Sequence, residues 1–257
     1  MAMTYSSRFW LYAPTGAFLL IAAAVMAYWW VAAGAFEKKL AALKGHEAIP
    51  GVTLNWSKVE VGGFPFRLDV DFINFTATGA GAHGPLAWSA AKFAAHTLSY
   101  NRDKIVYEAA GQQMLVFTGK DGGVMATAFL PASMRASSII DPKGLRRFDL
   151  DIVGVGAKAF TIGHFQFHVR RDPDGADLDL MLKTDATRIK GGAPENQQVY
   201  ATLNRVNALA PLLAGTMSWP EAARNWQAEG GKAKLSQIAF SGKGTVVAPQ
   251  LLLEALY

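Results

Sequence analysis

Apolar and polar residues alternate with a period of two along much of this chain, and that period admits only extended strands with one greasy side and one wet side. Phe66, Leu68, Val70 and Phe72 fall on one face of such a strand, with Arg67, Asp69 and Asp71 on the other. Val52, Leu54 and Trp56 alternate with Thr53, Asn55 and Ser57. The apolar parity then passes to Val59 and Val61, which requires a bulge or kink near Ser57-Lys58. Between these two runs, Gly62-Gly63 opens backbone angles closed to other residues and Pro65 fixes its own, so the chain can turn sharply with Phe64 and Phe66 planted beside the turn. Downstream, Phe165, Phe167 and Val169 alternate with Gln166, His168 and Arg170. "DPDG" supplies turn chemistry, and Leu178, Leu180 and Leu182 alternate on the return.

Further strands are expected near Lys92 to Tyr100, Lys104 to Ala109, Gln113 to Thr118, Val124 to Leu130, Leu145 to Val153 and Lys232 to Val247. Two helices interrupt them. Val199, Leu203, Val206, Ala210 and Leu213 recur at three and four residues, which predicts an amphipathic helix over Asn196 to Ala214. Ser218 and Glu221 have the spacing of a capping box, Pro220 sits in the first turn, Gly230-Gly231 ends the segment, and Trp219 and Trp226 mark its buried side. The expected class is therefore mainly β with helices (α+β): a curved antiparallel sheet with one or two packed helices.

Ahead of the sheet, no charged residue occurs between Arg8 and Glu37. That exceeds the roughly 20 residues a helix needs to cross hydrocarbon. Aromatic residues gather at both ends, with Trp10 on one side and Trp29 and Trp30 on the other as interface anchors. A cleaved signal is the competing reading, because Ala33-Gly34-Ala35 resembles a cleavage site, although a typical signal core is shorter than this one and the tryptophan pair before the site fits an interfacial belt better. The chain divides into an anchor over residues 1–36, a juxtamembrane helix and linker over 37–50, and a β-rich domain over 51–257. Lys38, Lys39 and Lys44 outnumber Arg8, so charge alone favours the body on the cytoplasmic side.

Composition excludes several classes of function. The net charge of +5 comes from scattered Lys and Arg that mostly alternate with acids, which disfavours nucleic acid and leaves a weak attraction to anionic lipid headgroups. The absence of cysteine removes disulfides, thiolate metal sites and thiol nucleophiles. His164 and His168 lie about 13 Å apart along a strand, too far to share a metal ion. "DPDGADLD" from Asp172 to Asp179 lacks the order of a calcium loop and reads as a solvated turn. "FSGKG" at Phe240 to Gly244 is neither a nucleophile elbow nor a phosphate loop. No enzyme, cofactor or metal is expected. Phe64, Phe66, Leu68, Val70 and Phe72 are candidates to line an acyl-chain groove; the plainer reading makes such aromatic stripes, with Trp56, Phe75 and Trp88, ordinary core.

The membrane segment, the short helix, the Trp56 strand and then "VEVGGFPFRLDVDF" resemble the start of the domain-of-unknown-function 2125 family of bacterial envelope proteins. "WPEAARNWQAEGGKAKLSQIAFSGKGTV" resembles that family's distal part. The resemblance implies an inner-membrane-anchored, single-pass protein with its body in the periplasm, against the lysine count. It implies no reaction. Members continue with further sheet, so Tyr257 is expected to be a truncation. The family is also broadly similar to β-rich AsmA-type envelope proteins that carry lipid on curved sheets. Two functions are therefore weighed: lipid handling or envelope maintenance through an apolar sheet face, with a phospholipid or other acyl-chain ligand, and alternatively a non-enzymatic interaction or assembly module for an envelope protein.

Overall fold

The computed structural model describes residues 7–81, 83–157, 160–175, 177–189, 192–241, 246–248 and 251–254. It begins with one helix, α1 (Ser7–Leu43), of 37 residues, or about 55 Å. Its first half is exposed around its circumference over Phe18, Leu19, Leu20 and Ile21, which are consecutive and all more than 60% exposed. From Trp29 onward one stripe is covered. Trp29, Ala33, Phe36, Leu40 and Leu43 follow one another at four and three residues. Ala33 and Leu40 are buried, and Phe36 and Leu43 pack beside Leu40 against the sheet. The boundary expected at residue 36 thus lies inside a continuous helix.

The sheet is an antiparallel meander. Its strands are β1 (Glu47–Ile49), β2 (Val52–Asn55), β3 (Lys58–Gly62), β4 (Arg67–Gly81), β5 (Gly84–Leu98), β6 (Lys104–Thr118), β7 (Val124–Phe129), β8 (Ser133–Asp141), β9 (Gly144–Gly156), β10 (Phe160–Arg171), β11 (Leu178–Ile189), β12 (Glu195–Leu203), β13 (Lys232–Ser241), β14 (Val246–Ala248) and β15 (Leu251–Glu254). Neighbours in the sheet follow the chain in order. β2 and β3 lie end to end along β4, broken at Trp56-Ser57 where the parity change predicts it. β7 and β8 share β6 in the same way.

Register pairs apolar residue with apolar residue across the whole width. Phe72 faces Phe93, Ala95 faces Tyr107, Tyr107 faces Ala136, Ala136 faces Leu150, Leu150 faces Phe167, Phe167 faces Leu182 and Leu182 faces Val199. The opposite face carries Asp69, His96, Asp149, His168 and Lys183. One face is thus continuously greasy.

A seam of irregular residues crosses this sheet. Asn74, Gly111, Gly154 and Ala186 all have positive φ, between 52° and 76°. Small residues meet along it: a Cβ on Gly111 would lie 3.1 Å from that of Ala91, on Gly154 3.1 Å from that of Ala132, and on Gly163 3.0 Å from that of Ala186. Bulges of this kind bend and twist strands. They also shift parity, so apolar neighbours across the seam stand three apart, as in Phe72/Phe75 and Ile152/Val155, and stay on one face.

The only long connection between described strands joins β12 to β13. It contains a 3-10 turn (Val206–Leu209), α2 (Ala210–Leu213) and α3 (Trp219–Ala228). The helix expected over Asn196 to Ala214 is not formed. Residues 195–203 are strand, and the apparent helical spacing arose by joining Val199 and Leu203, on the inner face of β12, to the turn that follows. Arg205 breaks the run with φ 55°. Ser218 occupies the N-cap position of α3 but its side chain makes no capping bond. Trp226 is buried as expected, whereas Trp219 is 58% exposed. The Trp226 indole donates to the Asn204 carbonyl at 2.6 Å and lies where a Gly231 Cβ would be, within 2.4 Å, so only glycine fits there.

Phe72 anchors the core beneath α1, with Trp56 at 5.0 Å and Phe75 at 5.4 Å between ring centroids. Phe72→Ala is expected to cost about 3–5 kcal/mol in denaturant unfolding of the detergent-solubilised protein. Val124→Ala, at a 73% exposed site, is expected to stay within about 0.5 kcal/mol of the parent.

Candidate functional site: an apolar inner face

Two covers lie on the greasy face and leave a strip between them. At one end the α1 stripe closes over Val70, Phe72, Phe75 and Trp56. At the other, Val206 packs on Val169 and Leu178, while Leu209 and Trp226 pack on Leu203 and Ala233. Between them Tyr107, Ala136, Leu150, Leu182 and Val199 are half-buried, and Phe167 stands at the edge of the Val206 cluster. Among the described residues, no helix covers this strip.

The face is turned inward. A Cβ on Gly51, in the β1–β2 turn, would lie 3.1 Å from the Ser218 Cβ, and one on Gly215 would lie 3.2 Å from the Ile49 side chain. In a flat sheet β2 and β12, eight neighbours apart, would stand about 38 Å from each other. The connection after β12 therefore reaches the first hairpin only because the sheet curls with its apolar side inside. Where the two meet there is a cleft of about 240 Å³, lined by Val52, Ala77, Leu86, Trp88, Leu115 and Trp219. Thr78 and Ser218 also line it, and the Trp88 Nε1 is buried without a hydrogen-bond partner. Gln113, fully buried on the adjacent strand, has an unpartnered Oε1.

The five residues expected to line a groove are separated by the fold. Leu68, Val70 and Phe72 are 0–6% exposed, and Val70 and Phe72 belong to the core that α1 covers. Phe64 and Phe66 stand out at the β3–β4 turn, 48% and 63% exposed. The uncovered strip lies further across the same face, on residues that were read only as strand pattern. Of the expected interface tryptophans, Trp10 and Trp30 are at least 70% exposed. Trp29 is bound to the body: its Nε1 donates to the Arg67 carbonyl at 3.0 Å, and its ring meets Phe64 edge-on at 5.5 Å.

The outer face satisfies itself. His96 pairs with Asp69 at 2.7 Å, His164 with Asp151 at 2.7 Å and His168 with Asp149 at 2.6 Å. His164 and His168 thus serve different carboxylates. Ser137 reaches Asp149 at 3.5 Å, so the carboxylate stands between hydroxyl and imidazole, the wrong order for base activation of a serine. Ser241 is on β13, three strands from both histidines, or about 14 Å of backbone; residues 242–245 of the "FSGKG" stretch lie outside the described residues. The "DPDG" segment is a turn, with Asp172 Oδ1 accepting from the Gly175 amide at 3.1 Å.

Burial pushes the Asp149 carboxyl up, and hydrogen bonds from His168 and Arg147 outweigh it, leaving the group below its ordinary value. Asp141 is held low by its hydrogen bond to Arg171, a guanidinium whose side chain is only 6% exposed and which also donates to the Lys143 carbonyl at 2.8 Å. Because the folded value lies below the unfolded one near 3.8, this pair stabilises the protein fully above that pH, and the contribution is lost as pH falls through the folded value. Asp141→Asn leaves Arg171 without its counter-charge. It is expected to cost about 1–3 kcal/mol at neutral pH, the cost of leaving a buried donor without its acceptor, and to flatten the acid limb of a melting-temperature profile.

Residues 29–250 match the family model described as "Uncharacterized protein conserved in bacteria (DUF2125)", and the chain belongs to that family. The match begins at Trp29, where the docked half of α1 begins. No curated protein matches the chain, and no solved structure does.

Proposed function

We propose that this member of the DUF2125 family is a membrane-anchored, non-enzymatic protein that holds an acyl chain against the inner face of its curled sheet. The observation that carries the reading is the half-buried apolar strip from Tyr107 to Val199, bounded by covers at both ends, on a chain whose first helix is long and apolar enough to cross a membrane. An acyl chain is long, narrow and apolar, and it would replace water along the strip at about 25 cal/mol per Å². A one-sided curved sheet is also what the likeness to AsmA-type proteins requires. The first half of α1, Ser7 to Tyr28, is the membrane span in this reading, and the body stands in the periplasm at the surface of the inner membrane.

The test is lipid retention. The full-length protein is extracted from bacterial membrane, washed stringently and analysed for phospholipid by mass spectrometry. The wild type is expected to retain lipid, and Leu150→Asp with Phe167→Asp to retain several-fold less while circular dichroism still reports sheet. A wild-type protein that emerges lipid-free would overturn the proposal and favour an assembly module working through its polar face.

A further inference from the structure

We infer that the β3–β4 turn and the neighbouring β5–β6 loop form a second membrane contact, whose aromatic side chains enter the boundary between headgroups and acyl chains beside the α1 span. The inference rests on α1 crossing a bilayer, and adds to that reading where the body meets it.

Four apolar side chains are exposed together at this end of the sheet: Phe64 at 48%, Phe66 at 63%, Leu98 at 38% and Tyr100 at 71%. The two segments are fastened side by side, since the Ser99 amide and hydroxyl both donate to the Phe66 carbonyl, at 2.9 and 3.1 Å. Their height is fixed by Trp29. Its bond to the Arg67 carbonyl and its edge contact with Phe64 put the turn level with the Trp29-Trp30 pair, where the first half of α1 ends. Tryptophan pairs at the end of an apolar span sit at headgroup depth.

Charge agrees with the placement. Arg102 and Lys104 are exposed in the same loop, with Asp103 between them, and Arg67 is 56% exposed while pairing with Asp69. The rim is net cationic, as anionic headgroups favour. Aromatic tips flanked by cations are the pattern of a segment lying in the interface. Exposed apolar residues occur at the far end too, including Val124 and Ile189. They are about 45 Å away along β6 and its neighbours, and among the described residues no apolar helix emerges there.

The chain has no cysteine, so single-cysteine variants can be labelled uniquely. The full chain carrying Leu20→Cys, Phe66→Cys, Tyr100→Cys or Val124→Cys is labelled with an environment-sensitive fluorophore. It is then reconstituted into phosphatidylcholine–phosphatidylglycerol vesicles with acyl-brominated lipid. Labels at 20, 66 and 100 are expected to lose emission, and the label at 124 to keep it. Quenching at 20 without quenching at 66 and 100 would overturn the second contact and leave the anchor standing. No quenching at 20 would overturn the anchor, and the inference with it. Tyr100 lies away from the Trp29–Phe64 contact, so its label decides the matter should Phe66→Cys disturb the turn.

Discussion

Water is excluded from one face of this sheet and welcomed on the other, and the rest of the molecule follows from that asymmetry. Each strand alternates, and the register sets apolar against apolar from β4 to β13, so no strand can hide its greasy side from within the sheet. Burial must come from bending or from cover, and the chain uses both. The seam from Asn74 to Ala186 bends the sheet, the α1 stripe covers its start, and the β12–β13 connection covers its end. At about 25 cal/mol per Å², side chains such as Phe72 and Trp226 repay ordering these covers. The same accounting leaves the middle strip as apolar surface that a soluble monomer rarely shows in a continuous patch.

The two halves of α1 are coupled through one residue. Below Trp29 the helix is largely exposed where its side chains are described; above it, a stripe at four- and three-residue spacing is committed to the sheet. A helix committed this way cannot slide or rotate without dragging the body. In the proposed membrane reading, the depth of its first half would set the height of the sheet, and the Trp29–Arg67 bond would set which turn lies lowest. An anchor on a flexible linker would leave the body free to tumble.

Much of this was legible in the sequence, and what was not has identifiable causes. The charge-free run and the strict alternation at Phe66 to Phe72 and Phe165 to Leu182 gave the helix, the hairpins and the one-sided sheet. β8 was missed because its inner positions, Met134, Ala136 and Ser138, carry too little apolar contrast to show a period. β12 was misread because Val199 and Leu203 are four apart, a spacing that strand and helix share, and the left-handed Arg205 between strand and turn has no signature of its own. The site was half legible. Leu68, Val70 and Phe72 do lie on the apolar face, but which part of that face is covered depends on where α1 docks. That docking is a long-range fact that local pattern does not contain. The three-residue spacings at Phe72/Phe75 and Ile152/Val155 were the available signal for the seam, visible only once the strands are known to pair.

The outer face is held together by its own polar groups. Its carboxylates are used as bridges: Asp69 holds Arg67 and His96, Asp149 holds Arg147, His168 and Ser137, and Asp151 holds His164 and Gln166. The pairs of Asp69 with His96, Asp149 with His168 and Asp151 with His164 run between neighbouring strands, which makes them cross-strand fasteners of a bent sheet. Among the described residues, the buried side-chain atoms without a hydrogen-bond partner are Trp88 Nε1, Gln113 Oε1, Thr184 Oγ1 and Thr187 Oγ1, and unmet donors and acceptors are costly in buried surroundings, which sets these four positions apart from the bridged carboxylates.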